Sequence, residues 1–432
     1  MAAISHALQQ LKSHLEQFVS SSDIEELCRH NGHTFRKNTA KLGGPAGTVH
    51  LMLLQLLAAV SMAGLRHVAR IRITKQALSK ARKALPVGLW RELVRRVCPP
   101  GPALSRWFGF QVLIADAMSF VVEDTPDLAK RYGKSRNGKP STAHGRPTPK
   151  LLALVDLATG FIHQVIALPW HRQERICLAR LLKACVKKAL LLGDRGMVGF
   201  VQLAMMQAAS VHCCLRLPRP QVVFGRGKAN RRKLQALGRQ DLLVCWSKGE
   251  DRVGWISKRA WKALPEQLTL RQISFRIVRK GFRTHWAWII TTLSDSDRYP
   301  AEELVKLYGK RWQIEVYFRD LKATLKLKQT RAKDVAGVQK ELLAFVVLYN
   351  LVRQVMLDAA HRQGVPPDRI SFTDALRWLL WSEPGEQLSD LIVNPIRSRL
   401  TQPRMLKHGR RKYARLNKPR HRLTKPPSQA KL

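Results

Sequence analysis

Two short apolar runs, Phe110–Ala115 and Ala189–Gly193, each stop on a lone carboxylate, Asp116 and Asp194. Runs of that length with almost no polar alternation read as buried strands, which commits this part of the chain to a helix-covered sheet. An acid at the end of a buried strand is costly unless something pairs with it, and a bound cation would do so. A turn or capping role answers the same need on local grounds.

The chain around these runs keeps the pattern. Leu151–Ala167 reads as a β-hairpin turning at Ala158–Gly160, with Asp156 beside the turn in a structural role. His171 and Glu174 open a helix expected to run to Lys188, where a helix-start acid also serves as an N-terminal stabiliser. After Asp194-Arg195-Gly196 comes a helix over Val198–Ala209, then a strand over Val211–Leu217 that carries Arg216. The order β-β-β-α-β-α-β matches a ribonuclease H-like core.

A further stretch, Tyr308 to Lys322, has no proline and only Gly309 near its start, and reads as a helix of at least four turns. At roughly 100° per residue, Tyr308, Arg311, Glu315 and Lys322 fall within about 60° of one another. Leu307, Ile314, Phe318, Leu321 and Leu325 form the neighbouring apolar stripe. An amphipathic helix with an incidental Arg311–Glu315 pair is the plain reading of that geometry. The order and spacing Tyr308-x2-Arg311-x3-Glu315-x6-Lys322, with Trp312, Ile314, Phe318 and Leu321 between, resembles the Y-R-E-K signature of DDE transposases of bacterial insertion sequences. The subgroup is the one named after insertion sequence four.

The resemblance implies a ribonuclease H-like catalytic core with Asp116, Asp194 and Glu315 as its catalytic and metal-binding acids. Tyr308, Arg311 and Lys322 would then contact DNA phosphates, and Arg216 is a further candidate contact. Asp194-Arg195-Gly196 resembles the family's second acid motif. At the first, this chain has Asp116-Ala117-Met118-Ser119 where the family shows Asp-Gly-Thr or Asp-Gly-Ser. A β-rich insertion over 220–300 resembles that of the hairpin-forming branch, in which a Trp at the place of Trp288 receives a flipped base. On local pattern Trp286 and Trp288 share one strand face and serve equally well as core. Within the insertion, a basic loop (Arg226 to Lys233) precedes strands at Leu242–Trp246, Arg252–Ser257, Gln272–Val278 and His285–Leu293.

The organisation read from the whole chain is a helical DNA-binding domain over 1–100 and the first part of the core over 101–219. The insertion (220–300) follows, then the second part of the core with the Glu helix (301–375), and a C-terminal helical region with a basic tail (376–432). In the first region Ala7, Leu8, Leu11, Leu15 and Phe18 space one helix face, Ser22–Asp23 caps a second helix, and Thr48–Leu65 forms a third. Thr74–Leu85 is a basic helix stopped by Pro86, whose Lys75, Lys80, Arg82 and Lys83 offer a face to phosphates. Pro99–Pro102 makes a linker. Lys130–Lys150 holds seven Lys or Arg and no acid, and the tail from Ile396 to Leu432 holds thirteen and no acid, so both suit a DNA backbone.

Bulk numbers agree with a polyanionic partner: 76 Lys and Arg against 30 Asp and Glu give a net charge of +46. Seven cysteines, odd in number and without a C-x-x-C pair, read as reduced thiols and not as a zinc site. Thr48–Leu65 and Leu342–Val352 are apolar but too interrupted for a membrane span, so the expectation is a soluble cytoplasmic protein, nucleoid-associated, with no membrane partner. The function expected is cut-and-paste transposition with Mg2+ (Mn2+ substituting), on double-stranded DNA at terminal inverted repeats and target, by a homodimer. A ribonuclease H-like nuclease without strand transfer, and a catalytically silent DNA-binding relative, are the alternatives.

Overall fold

The computed structural model describes residues 5–33, 43–98, 106–134, 145–186, 188–225, 227–228, 230–278, 285–382, 386 and 388. The 99–102 linker, the centre of the basic loop (135–144) and the basic tail lie outside them. In chain order the helices are α1 (His6–Glu16), α2 (Ser21–His30), α3 (Gly44–Leu57), α4 (Met62–Ala69), α5 (Lys75–Ala84), α6 (Val87–Arg96) and α7 (Pro126–Tyr132). They continue with α8 (Leu178–Leu182), α9 (Phe200–Ala208), α10 (Lys258–Lys262), α11 (Ala301–Gly309), α12 (Gln313–Arg319), α13 (Val335–Gln363) and α14 (Phe372–Trp381).

The chain forms two compact units. The first contains the described residues up to Gly196, Ala208–Val211 and those from Gly309 on. Its sheet is built from β1 (Gln111–Ser119), β2 (Lys150–Asp156), β3 (Ile162–Leu168) and β4 (Ala189–Gly193), in the order β3-β2-β1-β4. β1 pairs antiparallel with β2 and β2 with β3, while β1 and β4 run parallel. Every residue of β4 is buried, as its unbroken apolar sequence requires.

The N-terminal helices belong to this same unit. The long α13 packs against α3, α6, α14 and β3, and α1 packs against α3 and α14. α13 has 29 residues, with Asp334 as N-cap and Gly364 in the left-handed conformation that ends it. It is long and apolar enough to cross a membrane, more so than the interrupted run Leu342–Val352 suggests, yet 83% of its most apolar window is buried within the protein. That makes it a core helix.

Three local expectations need correction. Thr48–Leu65 is two helices, α3 and α4, bent by 103°, because Ala59 takes a left-handed φ of 52° and Ser61 caps a new helix by accepting from the Gly64 N–H. The helix expected from His171 to Lys188 is only a 3-10 turn (Glu174–Cys177) and the five-residue α8. Neither piece has a side-chain N-cap, and the chain must return to start β4 at Ala189. The cap of α2 is Ser20, which exchanges hydrogen bonds with Asp23 in a capping box.

The second unit contains Met197–Gln207 and His212–Tyr308 among the described residues. Its strands are β5 (His212–Arg216), β6 (Gly227–Lys228), β7 (Arg231–Gly238), β8 (Asp241–Ser247), β9 (Gln267–Ile277) and β10 (His285–Thr291), in the order β5-β10-β9-β8-β7-β6. All these pairs are antiparallel. The basic stretch read as a loop continues as β7, a mostly exposed strand with two register shifts against β8. Its backbone ladder makes it a strand although its side chains do not alternate, and Arg231 lies over the Trp246 ring at 4.5 Å. Arg252–Ser257, read as a strand, is instead a turn into α10, where Ser257 caps the helix.

Candidate active site

The parallel register of β1 and β4 pairs Ala115 with Gly193. The next residues are Asp116 and Asp194, so the two acids stand side by side. β4 ends just before Asp194, but β1 does not stop on Asp116 as its apolar run suggests and continues to Ser119, held by its pairing with β2. Asp116 Oδ1 accepts from the Ala117 N–H at 2.8 Å, and Asp194 Oδ1 accepts from the Gly196 N–H at 2.8 Å. A Cβ on Gly196 would stand 3.0 Å from that same oxygen, so glycine is what lets the turn after Asp194 close on its carboxylate. Ala117 continues β1 opposite Leu152 and is not among the residues with positive φ. The backbone here needs no glycine.

The stretch carrying Glu315 is helical, though not at one pitch. α11 passes into a 3-10 turn (Lys310–Trp312), α12 follows, and Asp320–Thr324 forms a π turn. A constant 100° step therefore does not describe it, and the single stripe of four polar residues is broken by two changes of pitch. α12 packs against β1. Two bonds hold it there: Arg311 Nη1 donates to Asp116 Oδ2 at 3.0 Å, and Tyr317 Oη donates to the Leu157 carbonyl at 3.2 Å. Arg311 thus meets Asp116, not Glu315. Glu315 is exposed and makes no hydrogen bond or ion pair among the described residues. Lys322 lies half-buried in the π turn, and burial lowers its pKa.

Burial pushes the Asp116 carboxyl above the usual carboxylate range. The Ala117 N–H and the Arg311 charge oppose that shift, while Asp194 adds to it. Glu174 is raised in the same way, first by burial, then against Lys150 and with Asp116 and Asp194. Lys150 Nζ stands 3.6 Å from Glu174 Oε1. Glu174 is thus within reach of the charge of the Asp pair, and its direct partner is Lys150. The His171-x-x-Glu174 spacing resembles one at this place in the family and also suits a helix-start acid, but neither reading points to Lys150, which begins β2 and is linked to Glu174 by no local spacing.

Carboxylate oxygens are the donors that hard divalent cations take. Asp116 and Asp194 fit that chemistry, since a cation would relieve their mutual repulsion, and Glu315 is not engaged elsewhere. Among the described residues no group of three or more His, Cys, Asp or Glu side chains is gathered tightly enough to hold an ion. Two of the three expected ligands come together by register. The third is carried on a helix packed against the same strand.

The remaining expected contacts are dispersed. Lys75 and Lys80 are exposed on α5, whereas Arg82 on the same helix is half-buried and donates to Gln55 Oε1 at 2.7 Å. In the second unit Trp288 is half-buried on β10 with its ring edge-on to the exposed Phe224 at 5.9 Å. Arg216 on β5 lies over the Phe275 ring at 5.7 Å, and Tyr308 is half-buried near the end of α11. Asp156 closes the hairpin turn: its Oδ1 accepts from the Ala158 and Thr159 N–H groups, both at 2.9 Å.

The mixed sheet order, the two acids set side by side by the β1–β4 register and the helix packed on β1 fit the ribonuclease H-like class of polynucleotide-processing α/β proteins. A family model described as the transposase DDE domain matches residues 107–351, more than half of the chain. The chain belongs to the DDE transposase family, in its IS4-like group. It is similar to the transposase InsG for insertion sequence element IS4 of Escherichia coli (strain K12), with 25% identity over 352 residues and 75% of each chain covered. It also resembles the putative transposase y4zB of Sinorhizobium fredii (strain NBRC 101917 / NGR234), 33% identical over 85 residues, or 20% of this chain and 23% of that one. Among solved structures it matches a piggyBac transposase synaptic complex with hairpin DNA at a TM-score of 0.47 and 9% identity, covering 86% of this chain and 79% of the other.

Proposed function

We propose that this chain is a cut-and-paste DNA transposase that cleaves at the ends of its own element, forms hairpin ends and transfers them to a target. The observation that carries the reading is the Ala115–Gly193 register, which sets Asp116 beside Asp194 under a helix bearing Glu315 and tied to Asp116 by Arg311. Asp116, Asp194 and Glu315 would hold the divalent ions, Mg2+ or Mn2+. When bound, such ions support the charge on attacking and leaving oxygens of an in-line phosphoryl transfer.

The chain's own groups supply position and charge. Arg311 carries fixed positive charge against Asp116, where a phosphate of the cleaved strand would lie, and Lys322 and Tyr308 would be further contacts to that strand. Water attacks phosphorus on one strand and the P–O3′ bond breaks, leaving a 3′-hydroxyl. That hydroxyl attacks the opposite strand, a new P–O bond closes the hairpin, and the displaced oxygen leaves with the flanking DNA. A second water reopens the hairpin, and the freed 3′ ends attack target phosphates. Trp288 would hold an unstacked base during the hairpin step, with Arg216, Lys75, Lys80 and Arg82 as backbone contacts. A homodimer bound to two inverted repeats, in the cytoplasm at the nucleoid, completes the reading.

The test incubates DNA carrying the element's end with Mg2+ and either the native protein or Glu315→Gln, and runs products on a denaturing gel. Nicks and then hairpinned ends with the native protein, and neither with the variant, are expected. Cleavage that survives Glu315→Gln would mean that the active site lies elsewhere, and specific binding without cleavage by either would identify a silent relative.

A further inference from the structure

The first unit contains a cavity of about 940 Å3 between the α3–α4–α5 helices and the segment running from Leu325 into α13. That is at the upper end of the range of about 300–1,000 Å3 usual for small-molecule and cofactor sites. Its apolar wall includes Met52, Leu56, Met62, Leu325 and Phe345. Five cations also line it: Lys75, Lys83, Lys326, Arg331 and Lys333. All five are exposed, and none has a side-chain hydrogen bond or ion pair among the described residues.

The acids of the cavity are already engaged. Asp334 Oδ1 caps α13 by accepting from the Gly337 N–H at 2.7 Å, and Glu341 accepts from the Arg331 and Ala332 N–H groups at 3.0 and 3.2 Å. Two further cations of the wall are also engaged: Lys340 donates to the Lys83 carbonyl at 2.7 Å, and Arg82 to Gln55. What is left over is positive charge beside an apolar floor. The backbone is unusual here as well, since Lys326 holds a left-handed φ of 63° two residues after the π turn that carries Lys322. Such strain in a non-glycine residue persists where the surroundings impose it, and it clusters at ligand sites. Gln329, another wall residue, bridges to Val121 just past the end of β1, the strand that bears Asp116.

We propose that this cavity is a nucleotide site, which seats one unstacked base against Met52, Leu56, Met62 and Phe345 while Lys75, Lys83, Lys326, Arg331 and Lys333 take its phosphates. A cationic rim beside an apolar floor is how single strands are held without sequence readout, and thioethers adapt to any base face. The ligand chemistry is base plus phosphate. Its source is an unpaired nucleotide of the DNA strand or a free nucleotide. The inference rests on the DNA-acting reading only for the kind of ligand, because nothing in it depends on the acids of the active site.

The test uses photo-crosslinking of the full chain, without metal, to a single-stranded pentanucleotide with a central 5-iododeoxyuridine, followed by mass spectrometry of the joined peptide. The expected result is a crosslink within the peptides of Met52, Met62 or Phe345. Ser79→Trp, which fills the cavity and leaves every charge in place, should reduce that crosslink about tenfold, the worth of one stacked base. Ala63→Trp, at an exposed position on another wall, should do the same and stands in if Ser79→Trp loses its cooperative unfolding transition. Lys258→Ala, on α10, should change nothing. Competition by unlabelled pentanucleotide but not ATP would assign the site to the DNA strand, and competition by ATP at similar concentration to a free nucleotide. Crosslinks only outside the cavity, indifference to both Trp variants, or competition by inorganic pyrophosphate as effective as by the pentanucleotide would overturn the proposal. Glu315→Gln should crosslink like the native protein, so failure here is separate from failure of the cleavage experiment.

Discussion

Asn350→Leu isolates how α13 supports the active-site sheet. Asn350 is fully buried, and so is Ile162 at the start of β3. The Asn350 Oδ1 accepts from the Ile162 N–H at 3.0 Å, and its Nδ2 donates to the Ile162 carbonyl at 3.0 Å. The side-chain amide thus completes the ladder where β3 begins, on the outermost strand of its sheet. Leucine has nearly the same size and neither group, so it leaves a buried donor and a buried acceptor unpaired. At about 1–3 kcal/mol for each, the variant should lose about 2–6 kcal/mol, a large share of the roughly 5–15 kcal/mol that a typical domain possesses. Urea unfolding followed by tryptophan fluorescence measures it. Tyr349→Phe is the calibrating variant, because it removes one bond, Tyr349 Oη to the Gly160 carbonyl at 3.1 Å, and should cost about 0.5–1.5 kcal/mol. The turn between these residues also receives the Tyr317 bond that seats α12, so end cleavage by Asn350→Leu should fall even where the protein is folded. A loss below that of Tyr349→Phe would refute the reasoning.

The other expectations follow from single features. Arg271 is fully buried and grips Asp241 through Nε at 2.8 and 3.1 Å, so Arg271→Met should cost about 3–5 kcal/mol by leaving that carboxylate alone, as thermal or urea unfolding would register. Burial pushes His14 and His50 down to about 4 from 6.5, against the Leu351 carbonyl bond at His14 and with the Lys12 charge at His50. The unfolded chain therefore takes up these protons first. Stability is complete above pH 6.5 and is lost as pH falls toward 4, by about 3 kcal/mol per group, and a His14→Gln/His50→Leu protein should show a flatter profile. Ala117→Gly should bring no gain in cleavage, and should destabilise by about 0.5–1 kcal/mol because the site is extended strand. A marked rise in activity would show that the backbone after Asp116 has to move.

Gly160 illustrates how far local reading reaches. A turn at Ala158–Gly160 follows from residue type, and Gly160 does take a φ of 75°. That a Cβ there would also strike the Arg353 guanidinium at 2.6 Å is known only once α13 lies across the turn. The Tyr308–Lys322 run is a similar case. Its apolar spacing predicts a helix against a core, while the 3-10 and π turns that divide it depend on what it packs against. β7 went unrecognised because its exposed, basic side chains carry no period, and only its pairing with β8 makes it a strand.

By itself the sequence determined the elements whose cause is local: buried strands from apolar runs, the helix start at Thr74, and the identity of the acids carried by β1 and by the turn after β4. Tertiary structure alone decided who meets whom. The register that sets Asp116 beside Asp194, the reach of Arg311 to Asp116, the pairing of Lys150 with Glu174 and the cavity behind α5 all join residues distant in the chain. Hydrophobic burial and backbone propensity act on neighbours and leave a trace in spacing. Strand register and ion pairing act across the fold, where no local period records them.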